Sequence, residues 1–265
     1  MNCLIRSIAM LLVISVRRTI QNACFCGSGI VLFFLNVLSA HALTDINVCS
    51  KPQLLAAINA AQPGDRIRLC SGVWVDLKLV VSRSGTTEQP IALTTQNPGG
   101  VTISGHSYIE LRGSYIHVSG FRWADYGDPR PKRGFIQTMS QSHHCKISEM
   151  VFEEDLESPR KEWIFNIALR GRDHEVFSSA FLGKRGKGAQ MFVWQGGENL
   201  NHELHHLYFR RKPLGYHRNG EQINGGESLQ TGAGDGVELP ADDLYAHHLF
   251  FENASGESEV ISIKG

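Results

Sequence analysis

The chain has 265 residues, of which 42% are hydrophobic and 20% are charged, enough apolar material for one large domain with a buried core. Its 26 basic and 26 acidic residues cancel, so the positive excess of a protein whose main partner is a nucleic acid is missing. We therefore expect one folded domain and no nucleic-acid partner.

The N-terminal region has the pattern of an export signal. Arg17 and Arg18 precede an apolar run over residues 29–38, and the small residues Ala40 and Ala42 follow it. The run is too short for a comfortable membrane span. This pattern predicts a signal peptide or leader over residues 1–42, a folded domain over 43–265, a periplasmic or secreted location, and no membrane association after cleavage. A membrane-anchored N-terminus is the alternative.

The folded part is predicted to begin with a short helix. Ser50 and Gln53 have the spacing of a capping box that opens a helix through Ala61. The predicted helix has one apolar face, formed by Leu54, Leu55, Ile58 and Ala61. Cys49 and Cys70 flank this helix and the strand that follows it. The sequence leaves open whether they form a disulfide or remain two buried thiols.

From residue 67 onwards the chain consists of short β-rich segments without a long helical pattern. An aliphatic or small residue precedes a phenylalanine by five positions in the pairs Ile116/Phe121, Ile147/Phe152, Val176/Phe181, Leu204/Phe209 and Ala246/Phe251. The phenylalanines are 31, 29, 28 and 42 residues apart. A period near thirty without helices predicts an all-β parallel β-helix, and it fits a β-sandwich or a propeller less well. The long last interval predicts an inserted loop between about residues 211 and 236.

Two carboxylates and a lysine lie close together at the end of the sequence. Glu257 and Glu259 are two positions apart, so on a strand they face the same side, whereas Lys264 would face away unless the strand bends. Carboxylate oxygens are suitable ligands for calcium, and a lysine can act as a base after losing its proton. This combination indicates a calcium-assisted proton abstraction.

Several segments in the same order resemble polysaccharide lyase family 6, which comprises alginate lyases and chondroitinase B. They are residues 63–65 (PGD), 72–74 (GVW), 101–105 (VTISG), 224–232 (NGGESLQTG) and 257–264 (ESEVISIK). The resemblance covers the chain from about residue 48 onwards. It implies a right-handed parallel β-helix with a short N-terminal capping helix. It also implies cleavage of an acidic polysaccharide by β-elimination.

The resemblance also implies roles for individual residues. Asn224, Glu257 and Glu259 would hold a Ca²⁺ ion, and Lys264 would be the base that removes the C5 proton of a uronate. A cation beside the substrate carboxylate would stabilise the charge that develops there. The implied substrate is alginate, most simply poly-mannuronate. The alternatives are a dermatan sulfate lyase of the chondroitinase B type and a non-catalytic β-helix that binds polyuronate.

The sequence departs from the family pattern in two places. Family members place an arginine that assists the leaving oxygen about one coil beyond the lysine, whereas this sequence ends one residue after Lys264. Gln230 stands where many members have an arginine. The resemblance therefore implies an incomplete lyase domain, truncated at the C-terminus.

Other conspicuous side chains admit binding and structural interpretations. The histidine pairs 143–144, 205–206 and 247–248 would face opposite sides of a regular strand, which argues against chelation by one pair and favours structural stacking. Trp123, Trp163 and Trp194 would stack on sugars or pack in the core. The basic cluster at residues 210–212, together with His217 and Arg218, is either a patch for an acidic polymer or a solvated loop.

Overall fold

The computed structural model describes residues 44–127, 129, 134–154, 163–184, 187–194, 200–214, 221, 226–232, 244–254, 256 and 259–264. The predicted leader lies outside these residues. In the part of the chain that is described, one α-helix is followed by a long series of short strands, as predicted, but a strand over Asp45–Val48 precedes the helix, so the folded part does not begin with it. No described helix has the length and apolar character needed to cross a membrane.

The strands form two sheets in which every paired neighbour is parallel. The larger sheet has twelve strands: β1 Asp45–Val48, β2 Arg66–Leu69, β3 Gly72–Val75, β5 Ile91–Thr95, β6 Val101–Gly105, β8 Ile116–Ser119, β9 Phe121–Tyr126, β11 Lys146–Ser148, β12 Val151–Glu153, β14 Glu175–Leu182, β16 His202–Arg210 and β18 Leu244–Glu252. The smaller sheet has seven: β4 Lys78–Val81, β7 Tyr108–Leu111, β10 Gly134–Thr138, β13 Phe165–Leu169, β15 Met191–Val193, β17 Leu229–Thr231 and β19 Ile261–Ile263.

Each coil crosses the larger sheet, bends in the middle of that crossing, and then adds one strand to the smaller sheet. The bends share a left-handed backbone conformation, with positive φ at Gly120, Glu149, Ser178, His206 and His248. Successive coils pair in register, for example Val176 with Leu204 and Leu204 with Ala246. This arrangement confirms the predicted parallel β-helix. It also stacks equivalent side chains into columns that run along its axis.

One of these columns forms the centre of the core. The rings of Trp123, Phe152, Phe181, Phe209 and Phe251 stack with centroid distances of 5.6, 5.4, 4.8 and 4.9 Å. The predicted repeat is therefore confirmed in four coils and wrong in the first. There, register pairs Phe152 with Trp123 and Ile147 with Val118, two residues after the predicted Phe121 and Ile116.

Phe181 lies in the middle of this column, so its truncation is expected to destabilise the whole β-helix. The side chain is fully buried between two parallel rings. We expect Phe181→Ala to lower the free energy of unfolding by about 4 kcal/mol, measured by urea titration, because it removes a large apolar group and leaves a cavity. Phe250→Ala is the control, since that ring is 62% exposed, and equal losses for the two variants would contradict the prediction.

Helix α1, Lys51–Ala60, covers the first coil and contacts β1, β2 and β4. The predicted capping box is confirmed, because the Gln53 backbone N–H donates to Ser50 Oγ and the Cys49 N–H donates to Gln53 Oε1. Leu54 and Ile58 are buried, but Leu55 is 44% exposed, so its predicted place on the buried face is wrong. The helix packs on the core along a narrow stripe of residues 54, 57, 58 and 61, which leaves position 55 outside it.

The cysteines of the folded part have distinct environments. Cys49 and Cys70 form a disulfide that joins the end of β1 to the end of β2, with their Cα atoms 4.9 Å apart. This bond resolves the alternatives that the sequence left open. Cys145 is a buried free thiol, and burial raises its pKa to about 12, which suppresses the reactive thiolate.

Two other histidines, His174 and His202, lie buried with their rings stacked 5.2 Å apart. His174 Nε2 donates to the Arg170 carbonyl oxygen, and its Nδ1 accepts from the Cys145 N–H. His202 Nδ1 accepts from the His174 N–H. Both rings therefore use Nδ1 as an acceptor, which requires its unprotonated form. Burial lowers the pKa of His174 to about 3 and that of His202 to about 4.

The expectation that neighbouring histidines face opposite sides is wrong. The two Nδ1 atoms lie 2.9 Å apart in the pair 143–144, 2.8 Å in 205–206 and 2.6 Å in 247–248. The second histidine of each pair has a φ of 52° or 53°. This left-handed conformation breaks the alternation of a regular strand and brings the two rings together.

Candidate functional site

The smaller sheet carries the C-terminal motif at its last two strands. Strands β17 and β19 pair in parallel, with Leu229 opposite Ile261 and Thr231 opposite Ile263. Lys264 follows β19, and its backbone N–H donates to the Thr231 carbonyl oxygen at 2.9 Å. The position of Lys264 is therefore fixed by the ladder that builds the sheet.

A buried ion pair connects this lysine to the preceding coil. Lys264 Nζ donates to Glu227 Oε1 at 2.7 Å. The Glu227 side chain is fully buried, whereas that of Lys264 is 26% exposed. Glu227 Oε2 has no hydrogen-bond partner among the described residues. A buried carboxylate oxygen without a partner is unfavourable, so it marks a place for a proton donor or a cation.

Glu259 lies at the matching position of the next coil. The Ser228 N–H donates to the Val260 carbonyl oxygen, and Leu229 pairs with Ile261, so the same register aligns residue 227 with residue 259. Paired positions on adjacent strands are about 5 Å apart. The side chain of Glu259 is exposed. The site thus combines one buried and one accessible carboxylate.

The loop before β17 and the segment before β19 pack closely. A Cβ atom added at Gly256 would lie 2.3 Å from the Gly226 carbonyl oxygen and 2.7 Å from Lys212 Cγ. A larger residue at position 256 would therefore force the two segments apart. Lys212 itself is buried, and Arg210 Nε lies 3.6 Å from Glu252 Oε1. Of the predicted basic cluster, Lys212 is therefore not available at the surface, whereas Arg211 is exposed and the Arg210 side chain is 43% exposed. His217 and Arg218 lie outside the described residues.

The structure describes two of the four predicted site residues. Glu259 lies just before β19 and Lys264 directly after it, whereas Asn224 and Glu257 lie outside the described residues. The sequence interpretation missed Glu227 as a partner of the lysine. The sequence feature that could have identified Glu227 is that it is the single acidic residue of the 224–232 motif.

Trp194 and Arg170 lie in the same column of aligned positions on the smaller sheet as Lys264. The backbone ladder aligns Lys264 with Gly232, Trp194 and Arg170 on the preceding coils. The guanidinium carbon of Arg170 lies 4.3 Å from the centre of the Trp194 ring. Gly232 has a φ of 72° and no side chain, so this column has a gap between the lysine and the tryptophan. The resulting surface offers positive charge and an aromatic face, which suits an acidic sugar chain.

The other tryptophans have different environments. Trp123 is fully buried in the core column, as the packing interpretation predicted, and Trp163 is 43% exposed. Gln230 is buried, and its Nε2 donates to the Gly232 carbonyl oxygen. The position where many family members have an arginine therefore supplies no charge to this surface.

Comparisons with known proteins identify a family for the chain and agree with its parallel β-helix fold. The model of the chondroitinase B family matches residues 48–265. No curated protein sequence matches the chain. A solved structure of the PL6 family alginate lyase AlyGC is 27% identical, with a TM-score of 0.75, over 84% of this chain and 30% of that one. The PL6 family polysaccharide lyase Pedsa3628 from Pseudopedobacter saltans is 25% identical, with a TM-score of 0.71, over 83% of this chain and 49% of that one.

A third structure supports the fold alone. A mannuronic acid specific family 6 lyase from human gut microbiota is 22% identical, with a TM-score of 0.72, over 83% of this chain and 52% of that one. The chain thus spans between 30% and 52% of the length of these solved structures. The family model covers most of the chain, and the parallel β-helix agrees with the fold of these structures. The chain belongs to the chondroitinase B family, polysaccharide lyase family 6.

Proposed function

We propose that this protein takes part in the β-elimination of a uronic-acid polysaccharide, with Lys264 as the base and calcium as the cofactor. The observation that carries the proposal is the buried carboxylate of Glu227, which holds Lys264 through one oxygen while the other has no partner in the described part of the chain. An ion pair formed only for stability would not need the second buried oxygen to remain unsatisfied.

The described residues fit a hard divalent cation. Calcium takes six to eight oxygen ligands, commonly from carboxylates and amide carbonyl groups. Glu227 and Glu259 offer carboxylate oxygens at matching positions of adjacent coils. Asn224 and Glu257, proposed from the sequence, would complete a set that contains only oxygen ligands. When bound, calcium would supply positive charge opposite the substrate carboxylate.

The residues of the chain perform the proton transfer in this proposal. In its neutral form Lys264 Nζ takes the C5 proton of the uronate, the C4–O4 bond breaks as the C4=C5 double bond forms, and the leaving O4 takes a proton from water. A remaining N–H of the amine donates to Glu227 Oε1, which orients the lysine. Trp194 and Arg170 bind neighbouring sugars of the same polymer, through the ring face and the carboxylate respectively. The proposed substrate is alginate of the poly-mannuronate type.

Removal of calcium is expected to stop the reaction. The purified protein is incubated with poly-mannuronate, poly-guluronate or dermatan sulfate, and the ultraviolet absorbance of an unsaturated uronate is followed. We expect a rise with an alginate polymer in Ca²⁺, none in EDTA, and recovery with excess Ca²⁺. A rise with dermatan sulfate alone would replace the alginate proposal, and no rise with any polymer would overturn the enzymatic one.

Calcium binding gives a second measurement that does not depend on turnover. We expect Glu227→Gln and Glu259→Gln each to weaken Ca²⁺ binding in calorimetry by at least about tenfold, because each removes a charged oxygen ligand. Glu88→Gln is the matched control, since Glu88 is exposed in another part of the chain. Equal affinity in all three variants would contradict the assignment of the ion site.

We also propose that the protein is exported to the periplasm or the outside of the cell. The Cys49–Cys70 disulfide supports this, because such bonds persist in oxidising compartments. Periplasmic fractionation with detection of residue 43 or a nearby residue as the mature N-terminus would test it.

A further inference from the structure

A second group of charged side chains lies on the larger sheet, away from the site of Lys264. Glu175 and Glu203 are register partners on β14 and β16, so the two carboxylates face outward one above the other. Like charges directly opposite each other across two strands are destabilising. A cation between the two carboxylates would remove this repulsion.

Histidine nitrogens approach both carboxylates. His205 Nε2 lies 3.0 Å from Glu175 Oε1, and His247 Nε2 lies 3.2 Å from Glu203 Oε1. The two imidazole rings are stacked 5.0 Å apart. One ligand atom from each of Glu175, Glu203 and His205 can be chosen so that all three lie within 4.8 Å of one another. Small side-chain rotations would bring them around one ion.

The opposite edge of the His205 ring is also held in place. His205 Nδ1 lies 2.8 Å from His206 Nδ1, and the left-handed backbone at His206 creates this contact. Histidines that bind metals usually donate their other ring N–H to a neighbouring acceptor, which fixes the orientation of the ring. His206 can serve as that acceptor while His205 Nε2 faces the carboxylates.

The group is accessible to an ion from solvent. Glu175 and Glu203 line a groove of about 390 Å³ together with Lys146 and Asp173. The His205 side chain is 16% exposed and that of Glu203 46%. Lys146 Nζ lies 2.7 Å from Glu175 Oε2, so this lysine supplies the positive charge on one side of the group.

We propose that Glu175, Glu203 and His205 form a binding site for a divalent transition metal of the Zn²⁺ class, with His247 as a further ligand. The imidazole nitrogen selects this class over calcium, which prefers oxygen ligands. The site is separate from the calcium site proposed for the lyase reaction. It lies on the other sheet and shares no residue with it.

The test uses the full, tag-free protein in excess Ca²⁺, so that oxygen-only sites are filled. Zn²⁺ binding is measured by calorimetry, and Co²⁺ binding by visible absorption of the ion. We expect one ion per chain, with at least about a tenfold loss of affinity in His205→Ala and in Glu203→Gln. Lys146→Met is expected to raise the affinity, because it removes the competing positive charge.

His143→Ala is the matched control, because His143 forms the same ring contact with its neighbour outside the group. Its Zn²⁺ affinity should equal that of the parent protein. Thermal unfolding without metal checks that each variant is folded, and Glu203→Gln decides the outcome if His205→Ala does not fold. Unchanged affinity in Glu203→Gln, or no binding of Zn²⁺ and Co²⁺ by the parent protein, would overturn the proposal.

Discussion

Replacement of Lys264 by arginine is expected to lower the elimination rate by about a thousandfold, the range typical for loss of a general base. Arginine keeps a positive charge and N–H donors for Glu227, so the buried ion pair can survive the change. It cannot accept a proton, because the guanidinium group stays protonated. The measurement is the initial rate of unsaturated uronate formation in Ca²⁺.

Stability and ion binding separate this result from a loss of structure. Lys264→Arg should unfold at nearly the same urea concentration as the parent protein and bind Ca²⁺ with similar affinity. Lys78→Arg is the control, because Lys78 is exposed at the start of β4 on the same sheet. A Lys264→Arg variant that keeps more than a tenth of the parent rate would contradict the role of the lysine as the base.

Acid is expected to destabilise the fold through the buried pair His174 and His202. Both pKa values are lowered by burial, to about 3 and about 4, from an ordinary value of 6.5. Below pH 6.5 the unfolded chain takes up protons that the folded chain does not bind. The stabilisation that the pair contributes is therefore fully present above pH 6.5. It is lost as the pH drops towards the pKa values of the two histidines in the folded protein. The free energy of unfolding should decrease by up to about 2.7 kcal/mol per pH unit from this pair.

Asparagine at position 202 provides the matched variant. Its Oδ1 can accept from the His174 N–H, as His202 Nδ1 does, but it does not titrate. In urea titrations in EDTA from pH 7 to pH 4.5, His202→Asn should remove about 1.4 kcal/mol per pH unit from the slope. Asp173 and His143 also act on His174 and remain in both proteins. Identical slopes for variant and parent would refute the assignment.

Much of the fold could be predicted because its signals are local or periodic. The capping box of Ser50 and Gln53 determines the start of α1, and the phenylalanine period reflects a column in which coils repeat. The predicted repeat was wrong in the first coil because Trp123 occupies the aromatic column there, and a search for phenylalanine alone does not find a tryptophan. The predicted burial of Leu55 was wrong because α1 contacts the first coil along a single narrow stripe, and Leu55 lies outside that stripe.

The contacts of the site were harder to predict from the sequence because they join different coils, whose residues are far apart in the sequence. Nothing local to Glu227 indicates that its carboxylate contacts a lysine 37 residues later. The histidine pairs were misjudged for a different reason. Side chains alternate only on a regular strand, whereas His206 and His248 adopt the left-handed conformation at a bend. Backbone irregularity of this kind depends on the stacking of whole coils and leaves no short motif.

The aromatic column shows how this architecture can change its surface without changing its interior. Phe181 and Phe209 are separated by 28 residues and Phe209 and Phe251 by 42, yet the ring distances are 4.8 and 4.9 Å. The extra residues belong to the two connections that flank β17 in the sequence, outside the strands. The length of these connections is therefore uncoupled from the spacing of the core, so a connection beside β17 can lengthen or shorten while the stacked scaffold stays the same.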